Sequence, residues 1–213
     1  MKYRSFIPSP GLFGVLLFHA LNALLVWLFP SAVPRRDILL DAAGAVLLLI
    51  LTASRHQQHE IVLQKTATFQ RLFTILSLCE VFFTLLLPWF LIVWGSSGGD
   101  DTAQEQRQEF GYILSPHLFV FQAQIGLESI IFWRRGHDKR LLFDFTVVLN
   151  LYRSIAILQW ISRSSSSTAA SSISAVRLAN IATVLWFCSN AFILFVWRPC
   201  LQRSPTVNDT KLK

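Results

Sequence analysis

The chain is 213 residues long, 53% apolar and only 15% charged, with a formal net charge of +7 and a mean hydropathy of +0.49. That balance is too hydrophobic for an ordinary soluble domain and points to an all-α, polytopic integral membrane bundle. Nucleic-acid binding is excluded on the same ground, because it needs basic residues gathered on a soluble surface.

Runs of about 20 apolar residues bounded by charge, proline or polar loops predict six transmembrane helices. The first covers 11–29. Lys2 and Arg4 give it the basic leader of a signal peptide, but it is longer than the usual apolar region of one and lacks a suitable small residue before the candidate cut near Pro30, Ala32 and Pro34. The second, 38–53, is the shortest and carries Asp41. HQQHE at 56–60 then sets His56 and His59 three residues apart beside Glu60. A catalytic zinc needs a third protein ligand and HExxH is absent, so no metal and no cofactor are expected.

The third span, 72–94, holds Cys79 and Glu80, and the acidic, glycine-rich GSSGGDDTAQEQRQEFGY is expected to form the loop after it. The fourth, 113–133, contains His117, Gln122, Gln124 and Glu128. RRGHDKR reads as a basic turn whose Arg134, Arg135, Lys139 and Arg140 orient the chain, neutralise the nearby Glu128 and Asp144, and touch anionic lipid at the cytoplasmic face. The fifth span, 141–161, carries Asp144, Asn150 and Arg153; the serine run at 164–167 reads as a flexible loop, and the sixth span covers 174–197. Residues 1–200 thus make a single six-helix domain, and 201–213 a polar tail. Cys200, just past the last span, is a palmitoylation candidate. His19 and His117, isolated within spans, read as hydrogen-bonded packing residues.

Five of the seven tryptophans, Trp27, Trp94, Trp133, Trp160 and Trp197, fall at or next to span ends, where an indole suits the headgroup level. Six spans leave both termini on one side. Thirteen of the 19 lysines and arginines fall in the N-terminus, the loops after spans two and four, and the tail; Arg35, Arg36, Arg107, Arg163 and Arg177 fall on the other face, with Arg153 inside. The positive-inside rule then places both termini in the cytoplasm.

A guanidinium inside a span needs a partner. At about 1.5 Å rise per residue Arg153 lies about 18 Å from the cytoplasmic end of its span, Glu80 about 12 Å and Asp41 about 18 Å. Asp144, nine residues before Arg153, faces the opposite way. Helical side chains lean toward their own N-terminus, so Arg153 on an outward-running helix leans toward Glu80, while Asp41 on an inward-running helix leans away. An unpaired charge there costs about 2.5 to 3.5 kcal/mol on insertion scales, and a Glu80–Arg153 pair facing the bundle interior is expected. Asp41, Glu128, Asp144 and Asn150 are the further polar-path candidates.

RRDILLD at 35–41 and KRLLFD at 139–144 share a basic pair before an Asp, a three-feature match that chance explains. No GxSxG elbow and no phosphate-cradling glycine loop is present. The expected role is therefore non-enzymatic: moving a small solute or lipid, or assisting a membrane-protein complex. The alternatives are a membrane-embedded lipid-modifying enzyme using intramembrane carboxylates, and a purely structural subunit.

Overall fold

The computed structural model describes residues 11–54, 67–94, 101–135, 139–166 and 171–198, and these are all-helical apart from the short turn between the first two helices. The helices are α1 (Gly11–Leu28), α2 (Arg35–Ser54), α3 (Ala67–Glu80), α4 (Leu87–Trp94), α5 (Asp101–Arg135), α6 (Lys139–Ser166) and α7 (Ser171–Phe192). A π-helical segment, Val81–Leu86, joins α3 to α4 without a break, and a second, Ile193–Trp197, extends α7. Six rods result.

Prolines set the irregularities. Phe29 precedes Pro30, a position that disfavours helical backbone, and α1 stops there. Pro34 then opens α2, its carbonyl accepting from the backbone N–H of Asp37 at 3.0 Å. Pro88 has no N–H to give, and its ring crowds the carbonyl four residues back; the rod widens into the π segment immediately before it, with Thr84 Oγ1 donating to the Glu80 carbonyl. In α5, Pro116 deprives the Tyr112 carbonyl of its helical donor. Arg163 supplies the replacement, donating from Nη1 to that carbonyl at 2.8 Å and to Ala32 O at 3.2 Å, with its guanidinium 4.5 Å from the centre of the Tyr112 ring.

The fourth rod is the axis of the molecule. It packs against α1, α2, α4, α6, α7 and the first π segment, and nearly every side chain from Phe110 to Ile131 is buried. Close approach to α1 is possible because residue 111 is glycine: a Cβ there would stand 2.0 Å from the Phe29 ring. The outer rods turn large apolar side chains outward, including Phe13, Trp27, Leu39, Leu78 and Phe195, while Asn22, Asp37, His117, Gln122, Gln124, Asn150 and Arg153 are buried. That is the reverse of a soluble domain.

Among the described residues, three helices are long and apolar enough to cross a membrane, Arg71–Trp94, Leu141–Ser165 and Ala175–Trp197. These are the third, fifth and sixth expected spans. The first forms a shorter apolar helix, Leu12–Leu28. The rod at 101–135 is not among the three, because a polar start together with His117, Gln122, Gln124 and Glu128 dilutes its apolar run.

Several expectations are corrected. DDTAQEQRQEFGY is not loop from Asp101 onward but the first turns of α5, as its alanine, glutamines and glutamates favour without a glycine or proline before Gly111. The serine run is helical through Ser166, with Ser165 Oγ donating to the Ile161 carbonyl at 2.9 Å and Ser164 buried. RRGHDKR is not a seven-residue turn, because Arg134 and Arg135 end α5 and Lys139 and Arg140 begin α6. Trp160 does not sit at a helix end, and Trp197, although it ends its span as expected, is like Trp160 under a tenth exposed, whereas Trp27 and Trp94 are exposed. Trp160 is inside because α6 runs on past it, and Trp197 is covered by Phe73 and Phe143.

Candidate functional site: a buried polar seam

The short connection between α5 and α6 makes them antiparallel neighbours, and spacings of three and four put a polar stripe on each facing side. His117, Phe121, Gln124 and Glu128 lie along α5; Thr146, Asn150, Arg153 and Trp160 lie along α6. They meet in layers. The His117 and Trp160 rings stand 4.7 Å apart. Next, the Arg153 guanidinium covers Phe121 at 4.3 Å from the ring centre. Gln124 Nε2 then donates to Asn150 Oδ1 at 3.4 Å and to Glu128 Oε1 at 3.1 Å, and Thr146 Oγ1 donates to the same Glu128 oxygen at 2.9 Å.

Two other rods close the seam. Glu80, the last residue of α3 before the π segment, accepts on Oε1 from Arg153 Nη1 at 3.1 Å and from Ser189 Oγ of α7 at 2.8 Å. Trp186 of α7 donates from Nε1 to the Asn150 carbonyl at 2.9 Å. Arg153 is fully buried and lies within electrostatic reach of both Glu80 and Glu128. It is also incompletely satisfied: its Nε and Nη2, both ring nitrogens of His117, and Trp160 Nε1 are buried with no hydrogen-bond partner among the described residues.

Asp41 does not meet Arg153. Its Oδ2 lies 3.4 Å from His19 Nδ1 and accepts from Asn22 Nδ2 at 3.4 Å, so it ties α2 to α1. A third cluster joins Asp37 to Tyr152, whose hydroxyl donates to Oδ1, and to Arg36 Nε at 3.3 Å. Asp144 is exposed on α6 and joins none of these clusters. The side chains of Arg134, Arg135, Lys139 and Arg140, and Cys200, His56, His59 and Glu60 altogether, lie outside the described residues.

The structure thus brings together Glu80, Arg153, Glu128 and Asn150 and leaves Asp41 and Asp144 elsewhere. Sequence reasoning missed the parts played by Phe121, Thr146, Trp160 and Ser189, and took His117 for a hydrogen-bonded packing residue although its ring nitrogens have no such partner among the described residues. The signal available was the spacing 117, 121, 124, 128 along one helix face. Among the described residues, no three His, Cys, Asp or Glu side chains gather as a metal site. Comparison with protein-family models, curated proteins and solved structures finds no match to this chain.

Proposed function

We propose that the chain is a six-span membrane protein with both termini in the cytoplasm, and that it moves a small polar solute through the bundle along the α5–α6 seam. The observation that carries this reading is the fully buried Arg153, paired with Glu80 and within electrostatic reach of Glu128, inside a bundle whose outer faces are apolar. Ionisable groups inside a membrane are costly to keep, and they are typically retained along solute or proton paths. Hydropathy supports three of the spans directly. The remaining three rods complete the bundle, α5 being shielded from lipid by its neighbours and therefore free to be polar.

The structural-subunit reading draws on a separate observation: each acid within the clusters already has partners, Glu80 with Arg153 and Ser189, Glu128 with Gln124 and Thr146, and Asp41 with His19 and Asn22. The enzyme reading draws on two acids in one seam, Glu80 in contact with Arg153 and Glu128 within electrostatic reach of it.

One pair of measurements separates the three. Proteoliposomes containing the full chain are assayed for swelling in small polar solutes and for proton entry with a trapped pH dye, while lipids are profiled in cells with and without the protein. Flux above empty vesicles that is lost in Glu128→Leu supports transport; altered lipid species without flux reject it in favour of catalysis, and neither change leaves the structural role. Orientation is tested at the NDT sequon, Asn208–Thr210. Cytoplasmic termini keep it unglycosylated, and an endoglycosidase-sensitive shift that disappears in Asn208→Gln overturns the orientation.

A further inference from the structure

Arg153 uses only one corner of its guanidinium on Glu80. The Nη1 nitrogen makes that contact, at 3.1 Å, and the Nε and Nη2 nitrogens are buried without a partner among the described residues. Those two nitrogens share one edge of the planar group and present two parallel N–H bonds, the fork that two oxygens of a carboxylate accept side by side. A donor edge of this kind, left unmet in a buried site, is strongly unfavourable.

The surroundings have the same polarity. Trp160 Nε1, a donor only, and His117, which gives one hydrogen bond and takes one, are likewise buried without partners among the described residues. Their rings lie 4.7 Å apart, His117 lies nearly parallel to Phe121 at 6.3 Å, and Phe121 carries the guanidinium on its face at 4.3 Å. Farther along α5, Gln124 Oε1 is a buried acceptor without a partner among the described residues, and Gln122 leaves both a donor and an acceptor unmet. The stretch between Arg153 and Trp160 itself combines three unmet N–H-bearing nitrogens and one imidazole with aromatic walls. We propose that the free edge of Arg153, with Trp160 and His117, is a binding site for the carboxylate of a small monocarboxylic acid. This rests on the reading of the seam as a solute path, and names the class of solute.

Charge sets a further condition. Glu80 already offsets Arg153, so a carboxylate arriving alone adds an uncompensated negative charge. The ionisable groups facing the site are His117 and Glu128 from α5, Arg153 from α6 and Glu80 from the third rod; α7 contributes the neutral Ser189. Glu128 receives both of its hydrogen bonds on Oε1, from Gln124 and Thr146. Uptake of one proton with each carboxylate, by Glu128, by His117 or by the incoming acid itself, removes that excess charge. Affinity for the carboxylate then rises as pH falls, by up to about tenfold per unit while one proton is taken up.

The test uses the full chain in detergent, with calorimetric titration and thermal unfolding in acetate, octanoate and acetamide between pH 8 and pH 6. Acetate represents a water-soluble acid, octanoate a lipid-derived one, and acetamide an uncharged isostere. The expected result is that at least one acid binds and stabilises the protein, tighter at lower pH, with acetamide at least tenfold weaker than acetate. Preference for octanoate assigns the solute to lipid, and preference for acetate assigns it to the aqueous phase. Arg153→Lys keeps a cation opposite Glu80 but lacks the fork, and should lose at least tenfold in affinity; Trp160→Phe keeps the ring but lacks the N–H, and should lose several-fold. Absence of binding by either acid to the unmodified chain overturns the site and leaves the fork to water alone. Equal binding by both variants also overturns it, and Trp160→Phe decides if Arg153→Lys does not fold. Binding without vesicle flux keeps this site and rejects transport, whereas flux without acid binding does the opposite.

Discussion

In the α5–α6 seam an acid from a third rod, Glu80, stands 3.1 Å from a guanidinium that is wholly buried, whereas in the α1–α2 hairpin Asp41 meets an imidazole and an amide at 3.4 Å each, with 31% of the His19 side chain still exposed. The two clusters differ in what happens when a partner is lost. Remove one side of the first and a full charge is stranded in the middle of the bundle. Remove His19 from the second and Asp41 keeps the Asn22 amide; remove Asp41 and a partly exposed imidazole and a neutral amide remain. They also differ in reach, because Glu80 and Arg153 are separated by 73 positions and Asn22 and Asp41 by 19. The first cluster therefore selects which rods are neighbours, and the second only tightens a hairpin that chain connectivity already brings together.

The largest effect that this contrast predicts is at Arg153. Arg153→Leu or Glu80→Leu alone should cost roughly 3 to 5 kcal/mol, the range for breaking one half of a buried pair, read as folded fraction in a denaturing-detergent titration. The double replacement should cost less than either single one. A double mutant as damaged as the sum of the singles, together with rescue of Arg153→Leu by Asp41→Leu, would make the second rod the partner and erase the distinction. A smaller loss is expected at a contact that involves no charge: Gly111→Val drives a side chain into the Phe29 ring and should cost about 1 to 3 kcal/mol by overpacking, in the same titration.

Arg163→Met should cost about 1 kcal/mol, because the Tyr112 and Ala32 carbonyls lose their donor near a surface where water can replace it in part. If Arg163→Met is as damaging as Arg153→Leu, burial is not what separates the two arginines. The smallest effect is at the hairpin, where Asp41→Asn keeps an acceptor for Asn22 and should change stability by about 0.6 kcal/mol, the usual size of an interhelical hydrogen bond in a membrane protein. A loss of several kcal/mol there would mean that Asp41, too, is a charge on which the bundle depends.

Much of the helical outline was legible, since apolar runs bounded by proline and charge mark helices wherever they pack. Helix ends were less so. The α5 start at Asp101 and the α6 end at Ser166 lie in polar sequence that hydropathy counts as loop, although its helix propensity is adequate. Trp160 was misplaced for the same reason: an indole near the end of an apolar run resembles a headgroup anchor until the helix is seen to continue beyond it.

For the candidate site, the sequence by itself determined that Arg153 lies deep in an apolar helix and that Glu80, by depth and lean, is better placed than Asp41 to meet it. Those follow from helical rise and side-chain direction, which are local properties of the chain. Only the tertiary structure decided that Ser189 shares Glu80, that Phe121 lies beneath the guanidinium, that Glu128 stands within electrostatic reach of the same cation, and that the Nε and Nη2 edge meets no partner among the described residues. Each of these depends on how far one rod is rotated and slid against another. That rotation is set by the sum of many packing contacts around α5, so no single stretch of sequence encodes it.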